Sequence, residues 1–154
     1  MQCRRAVITG MGAITPIGTG AETYWRALLD GVSGVGPITH FDASEYTTRI
    51  AAEVKDFDPE KYIERKEAKR MDRFVQLAVA ASKLAIEDSR LEVSPDNADR
   101  VGVLIGSGIG GTRTWEDQHT GLIEKGPGRV SPFFVPMIIS DMASGMVSIV
   151  TGAK

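Results

Sequence analysis

The stretch 66–88 carries apolar residues at helical spacing and predicts one long α-helix. The apolar positions form two stripes, so beyond its first turns the predicted helix is apolar on almost every side: Met71, Phe74, Val75, Leu77, Ala78, Val79, Ala81, Leu84, Ala85 and Ile86. A helix of this kind is buried between other layers of structure. The rest of the chain must therefore supply those layers.

Two short apolar runs that lead into glycine, at 6–9 and 99–106, predict buried strands on either side of this helix. Further helices are predicted around "TYWRALLDG" with a stop at Gly31, over "TWEDQHTGLIEKG", and in the small-residue segment that stops at Gly152. This alternation of strands and helices is typical of an α/β protein with a largely covered sheet.

Residues 32–60 are richer in Gly, Pro, Thr and Asp and predict an irregular excursion with one short strand at 49–54. The chain of 154 residues, 42% of them hydrophobic, can form one domain with a core. The last predicted helix stops at Gly152 where a further strand is expected, so we expect 1–154 to be an incomplete domain.

Composition excludes several classes of protein. A net charge of −2 argues against a nucleic-acid partner, and a single cysteine excludes an internal disulfide and a cysteine-based zinc site. No apolar run is long enough to cross a membrane, and the N-terminal run is too short for a signal peptide. We expect a cytoplasmic protein that binds no metal.

The segment "IGSGIGG" matches the dinucleotide-binding pattern at Gly106, Gly108 and Gly111. The match is weak because that pattern belongs in the first strand-to-helix turn, whereas about a hundred residues precede it here. An oxidoreductase domain is therefore a minor alternative. The other interpretation is that the glycines allow close backbone approach and leave room beside Ile109 for an apolar ligand.

No complete catalytic set is visible in the sequence. Nucleophilic catalysis needs a serine or cysteine beside a base, and the candidates are Cys3, His40 and His119. Cys3 lies next to the terminus, where a residue is rarely held rigidly. His40 is predicted to lie in a loop and His119 on a helix surface.

Five basic residues cluster at the start of the predicted long helix: Arg65, Lys66, Lys69, Arg70 and Arg73. Spacings of three and four residues bring most of them to one face. The cluster is either a solvated helix end, balanced by nearby acidic residues, or a docking surface for an acidic partner.

Several segments in order resemble the N-terminal part of β-ketoacyl-acyl-carrier-protein synthase II, a condensing enzyme of thiolase-like fold: "VITGMGAITPIG", "GPITHFDAS", "KEAKRMDRFVQLAVAA", "DRVGVLIGSGIGG" and "GPGRVSPFFVPMIISDMASG". The resemblance covers essentially the whole chain. It implies an α/β fold of layers in the order α-β-α-β-α, of which this chain is a truncated part.

The resemblance also implies a reaction, fatty-acid chain elongation by decarboxylative Claisen condensation of an acyl thioester with malonyl-acyl carrier protein. The family's nucleophilic cysteine, two histidines and a lysine are expected beyond Lys154, so no catalytic residue is assigned in this chain and the 154 residues alone are predicted to be inactive. No cofactor is expected.

Binding residues do carry over from the resemblance. Ile109 is similar to the family's isoleucine at the acyl pocket, and Phe134, Val135 and Ile139 match positions near that pocket and the contact between the subunits of a homodimer. Lys66, Lys69 and Arg70 match the surface that docks acyl carrier protein loaded with acyl or malonyl groups. The alternative within the same fold is a non-catalytic partner, which binds acyl carrier protein or sets chain length.

Overall fold

The computed structural model describes residues 5–154. By internal contacts the chain divides into two compact units. The first contains the described residues up to Phe57 together with Leu84–Arg90, and the second contains Asp58–Lys83 together with Leu91–Lys154. Among the described residues, no helix has the length and apolar character needed to cross a membrane.

The first unit begins with a small hairpin. Strand β1 (Ile14–Thr15) pairs antiparallel with β2 (Gly18–Thr19), and α1 (Ala21–Leu29) follows directly. Helix α1 confirms the prediction made from its apolar spacing. Its predicted apolar face, however, is largely exposed in the described residues: Trp25, Leu28 and Leu29 face solvent and only Ala27 is buried.

A second hairpin completes the sheet structure of this unit. Strand β3 (Val35–Pro37) pairs antiparallel with β4 (Ile50–Ala52), with Gly36 opposite Ala51. Strand β4 confirms the strand predicted at 49–54, although it is shorter. Strand β3 was not predicted, because a Gly-Pro pair in three residues gives no strand signal in the sequence.

The second unit is mainly helical. Its α-helices are α2 (Arg65–Ala68), most of α3 (Arg73–Ser89), α4 (Thr112–Lys125), α5 (Phe134–Ile138) and α6 (Met142–Thr151). Short 3-10 turns occur at Pro59–Lys61, Ala98–Arg100 and Pro127–Arg129. Helices α4 and α6 confirm the sequence predictions, and α6 ends at Gly152, whose φ of 79° is the left-handed conformation that glycine tolerates.

The prediction of a single helix over 66–88 is wrong, because the chain breaks between α2 and α3. The side-chain amide of Gln76 donates to the carbonyl oxygens of Ala68 (2.8 Å) and Met71 (3.2 Å), which satisfies one acceptor at the end of α2 and one in the junction after it. The Oδ1 atom of Asp72 accepts the N–H of Phe74 (3.2 Å) at the start of α3. These side-chain bonds stabilise two helix ends where apolar spacing alone predicts continuity.

The prediction of two buried strands, at 6–9 and 99–106, is also wrong. Neither segment pairs with another strand within residues 5–154, and Ile8 is 84% exposed. In the second segment Val103 and Ile105 pack against the core whereas Leu104 between them is 98% exposed. This alternation of buried and exposed side chains is typical of an extended chain. A strand also requires a neighbouring strand to hydrogen-bond its backbone groups, and an apolar run does not specify that neighbour.

The core of the second unit is built around α3. Its buried members are Ile63, Ala68, Met71, Val75, Val79 and Val147. Val75 and Val79 of α3 are almost completely enclosed, each 1% exposed. The predicted burial of this helix is therefore confirmed for its first half, where α6 supplies Val147 as a packing partner.

Candidate functional site

A cleft of about 320 Å³ lies at the start of α4. Its lining residues are Ile109, Gly111, Thr112, Trp115 and Ile138. Three of the five contribute large apolar side chains, and Ile109 is 79% exposed. The surface can therefore take an apolar group of modest size, with few polar atoms to orient it.

Two glycines bring the walls of the cleft together. Gly110 has φ 84°, and a Cβ added there would lie 2.2 Å from the carbonyl oxygen of Ile138. A Cβ on Gly111 would lie 2.3 Å from the carbonyl oxygen of Met137. Only glycine permits this approach of the chain before α4 to the end of α5, so the structural interpretation of these glycines holds at positions 110 and 111.

The carboxylate of Asp72 joins the starts of two helices. Besides accepting the N–H of Phe74, it accepts the N–H (3.1 Å) and the hydroxyl (2.5 Å) of Thr114 through Oδ2. Both Asp72 and Thr114 are 8% exposed. A negative charge at the N-terminal ends of α3 and α4 is stabilised by the N–H groups and by the helix dipoles.

This carboxylate argues against a dinucleotide site. A pyrophosphate would need the free N–H groups at the start of the helix that follows the glycines. Here Asp72 already occupies the N–H of Thr114, and the N–H of Gly111 is bonded to the carbonyl oxygen of Ile138 at 3.1 Å. A second anion at this helix start would be repelled by the carboxylate.

The basic residues singled out in the sequence lie on α2 and on the junction that follows it. Lys66 and Lys69 are exposed and form no ion pair with any residue in 5–154. Arg65 pairs with Glu60 at 3.4 Å. Because the helix breaks after Ala68, the face predicted from continuous helical spacing does not extend across all five residues.

Arg70 differs from the two lysines because it is engaged within the protein. Its guanidinium carbon lies 4.7 Å from the ring centre of Phe133, a cation–π contact, and its Nη1 lies 3.4 Å from Oε1 of Glu67. Phe133 immediately precedes α5. Arg70 therefore links the basic segment to the element that carries Ile138.

The structure brings only one of the predicted pocket residues into the cleft. Ile109 lines it, whereas Phe134, Val135 and Ile139 lie on or just after α5 and are not among its lining residues. Trp115 and Ile138 were missed. Trp115 lies three residues after Thr112 on α4, so the helical period would have placed these two on one face.

The two described residues that the sequence offered as catalytic candidates, His40 and His119, are both exposed. His40 is an exposed loop residue, as predicted, with Nε2 3.9 Å from a Glu53 oxygen. His119 lies on the surface of α4, as predicted, and stacks on Trp115 with ring centres 5.3 Å apart. Cys3 lies outside the described residues, and no group of metal-binding side chains occurs among those that are described.

Comparisons with known proteins agree on one family. Residues 4–154 match the family model of the β-ketoacyl synthase N-terminal domain. The chain is 54% identical over 154 residues to 3-oxoacyl-[acyl-carrier-protein] synthase 2 of Synechocystis sp., covering all of this chain and 37% of that protein. The chain thus spans about 37% of the length of this curated relative.

Two solved structures share the fold. The ishigamide ketosynthase/chain length factor has a TM-score of 0.76 at 30% identity and covers 96% of this chain and 37% of its own. A ketosynthase bound to a hexaketide, in complex with its type II PKS acyl carrier protein, has a TM-score of 0.77 at 25% identity and covers 95% and 38%. The predicted α/β, thiolase-like fold class is confirmed by these matches.

Proposed function

The chain belongs to the β-ketoacyl synthase N-terminal domain family, and from that premise we propose that its protein elongates acyl chains. The reaction joins an acyl thioester to malonyl-acyl carrier protein. Carbon dioxide leaves the malonyl group, the resulting carbanion attacks the acyl thioester carbonyl, and the thiolate is expelled. The product is a 3-oxoacyl thioester longer by two carbons.

The observation that carries this proposal is the 54% identity to a 3-oxoacyl-[acyl-carrier-protein] synthase 2 along the whole of this chain. The geometry is compatible with a binding role for these residues, because the described part contains an apolar cleft and exposed basic side chains. Within the proposed reaction this chain supplies surfaces that bind and orient. We assign it no reacting thiolate.

We assign the cleft to the acyl chain, with Ile109 as the side chain that limits its depth. The lining is apolar, so a hydrocarbon tail leaves water on binding and gains free energy in proportion to the area it buries. Phe134, Val135 and Ile139 stay part of this proposal as residues near the pocket and near a homodimer contact. Their exposed or half-exposed side chains leave apolar surface for such a contact.

We assign Lys66, Lys69 and Arg70 to docking of the acyl carrier protein. The two lysines are exposed and available to an acidic partner, which they would attract over a distance of about one Debye length, roughly 10 Å at moderate salt. The related ketosynthase solved with its acyl carrier protein supports a partner of this kind. We place the protein in the cytoplasm, where its carrier-bound substrates would be made.

The test is a condensation assay on the full-length protein that contains this chain. Purified protein is mixed with acyl-acyl carrier protein and malonyl-acyl carrier protein, and the products are identified by mass spectrometry. A 3-oxoacyl product two carbons longer, with release of carbon dioxide, is the expected result. Absence of that product across a series of acyl chains from short to long would contradict the proposal.

A second candidate is a non-catalytic partner of the same fold. It is favoured by the likeness to a ketosynthase/chain length factor, although that identity is only 30% against 54% for the synthase. A partner of this type would bind acyl carrier protein but form no 3-oxoacyl product alone. Product formation by the purified homomeric protein therefore separates the two candidates.

A further inference from the structure

We propose that Asp72 is a positioning residue, which holds the wall of the cleft in register with the basic surface of α2. The inference rests on the proposed function, because it concerns how a carrier docked at that surface presents an acyl chain to the cleft. Asp72 follows the basic residues of α2 in the sequence and accepts hydrogen bonds from the starts of α3 and α4, and α4 carries two of the residues that line the cleft.

Because the carboxylate of Asp72 is buried, it depends on hydrogen-bond donors from the protein. A charged group that is 8% exposed has lost most of its water and must be compensated by protein donors. Three donors supply this compensation: the N–H of Phe74, and the N–H and hydroxyl of Thr114. Two of the three come from one residue, so the position of Thr114 depends on Asp72.

Thr114 in turn positions the cleft wall. It lies on α4 between Thr112 and Trp115, both of which line the cleft. The Asp72 carboxylate carbon lies 3.1 Å from where a Cβ on Gly111 would be, so the carboxylate packs directly against the backbone of a third lining residue. A shift of Asp72 would therefore move three lining positions together.

The same short segment also reaches the element that supplies Ile138 to the lining of the cleft. Arg70 precedes Asp72 by two residues and stacks on Phe133, which leads into α5 and so to Ile138 at its end. Gln76 fixes the segment itself by bonding to the carbonyl oxygens of Ala68 and Met71. The junction between α2 and α3 is thus tied to α4 by Asp72 and to α5 by Arg70.

The experiment compares Thr114→Val with Thr114→Ser in the full-length protein. Valine has nearly the shape of threonine but lacks the hydroxyl that donates to Asp72, whereas serine keeps it. For each variant, kcat/KM is measured with acyl-acyl carrier proteins of several chain lengths, together with the Kd for the carrier protein. Asp72→Asn serves as a second, stronger change at the acceptor.

We expect Thr114→Val to change the ratio of kcat/KM for long over short acyl chains by about tenfold, the lower end of the discrimination seen when a pocket gains or loses room for one methylene. The carrier Kd should stay within about twofold, because Lys66 and Lys69 are untouched. Thr114→Ser should keep the wild-type ratio.

Equal loss of kcat/KM at every chain length in Thr114→Val, or no change at all, would show that the hydroxyl bond has only a structural role or none, and the inference would be overturned. A tenfold rise in the carrier Kd would also overturn it, since the effect would then lie in docking.

If the wild-type protein condenses no acyl chain, the proposed function fails and this inference fails with it. If the wild type is active and the ratio does not move, the inference alone fails.

Discussion

The N–H of Gly111 donates a hydrogen bond to the carbonyl oxygen of Ile138 at 3.1 Å, so the start of α4 meets the end of α5 through backbone atoms alone. Both residues line the same cleft. No side chain separates the two helices at this point, because any Cβ on Gly111 would collide with the carbonyl oxygen of Met137. The close approach of these two main-chain segments therefore depends on the absence of a side chain at Gly111.

Gly111→Ala should destabilise the protein by about 1–3 kcal/mol, the usual cost of forcing a methyl group into a packed region. The added carbon would lie 2.3 Å from a backbone oxygen, and neither main-chain segment can move away without breaking the bond to Ile138. Thermal or urea unfolding of the full-length protein measures the change.

The matched control is Gly121→Ala within α4, where an added Cβ would meet nothing within 4 Å. Alanine inside a helix is favoured over glycine by up to about 1 kcal/mol, so this variant should be as stable as the wild type or more stable. Equal stability for the two alanine variants would contradict the steric argument at Gly111.

Helices were the part of the fold that the sequence predicted well. Helices α1, α4 and α6 each combine apolar spacing with a glycine at or just beyond the C-terminal end, and both signals are local. The break between α2 and α3 was missed because one of its determinants is remote. Asp72 bonds to Thr114, 42 residues away, and no short pattern in the sequence predicts that pair.

The prediction of strands at 6–9 and 99–106 was wrong for a related reason. An apolar run shows that a segment is suited to burial but not which segment will pair with it. Among the described residues these runs have no strand partner, and Leu104 is almost fully exposed. Pairing is a property of the whole sheet, so local composition could not decide it.

The candidate site was predicted in part. Ile109 was identified because two glycines flank it, and the structure places it in a cleft. Trp115 and Ile138 were missed because neither belongs to a recognisable motif. They come together only through the contact of Gly111 with the end of α5, a contact between residues far apart in the chain.

Reversal of charge at Lys66 and Lys69 should weaken binding of acyl carrier protein. For Lys66→Glu with Lys69→Glu we expect about a tenfold higher Kd at low salt and a smaller effect at high salt, because the attraction acts between exposed charges. Calorimetry or surface plasmon resonance at two ionic strengths measures both quantities.

The control is Lys55→Glu with Lys125→Glu, which changes the net charge equally at exposed lysines that do not belong to α2. If the two double variants lose affinity to the same degree, the effect comes from overall charge and not from a docking surface. An unchanged Kd for the α2 variant at low salt would remove the assignment altogether.

The pKa of Glu53 lies below its usual value of 4.5, chiefly because the Thr39 hydroxyl and then the Thr39 N–H donate to its carboxylate. Folding therefore favours the ionised form. The resulting stabilisation of the loop after β3 is fully present above pH 4.5 and is lost as the pH falls through the lower, folded pKa.

A carbon-13 NMR titration of the Glu53 carboxyl group measures this pKa directly. Thr39→Val removes the hydroxyl donor and should raise the midpoint toward 4.5. Thr47→Val, at an exposed position in the same loop, should leave the midpoint where it is. A wild-type midpoint at or above 4.5, or equal titrations in the two variants, would refute this account.

Enlargement of residue 109 should shorten the acyl chains that the protein accepts. In Ile109→Phe the longer ring occupies part of a cleft of about 320 Å³, and the loss of space excludes terminal methylenes of a long chain. Each excluded methylene costs about 0.8 kcal/mol of apolar burial, so discrimination against long chains should grow by roughly fourfold per carbon. The product profile of the full-length protein, measured by mass spectrometry with mixed acyl substrates, tests the shift.

Ile123→Phe is the control, since that isoleucine is exposed on α4 and does not line the cleft. A wild-type profile in Ile109→Phe would mean that the acyl chain runs elsewhere, whereas a shift in both variants would show that added bulk changes the profile without acting through the cleft.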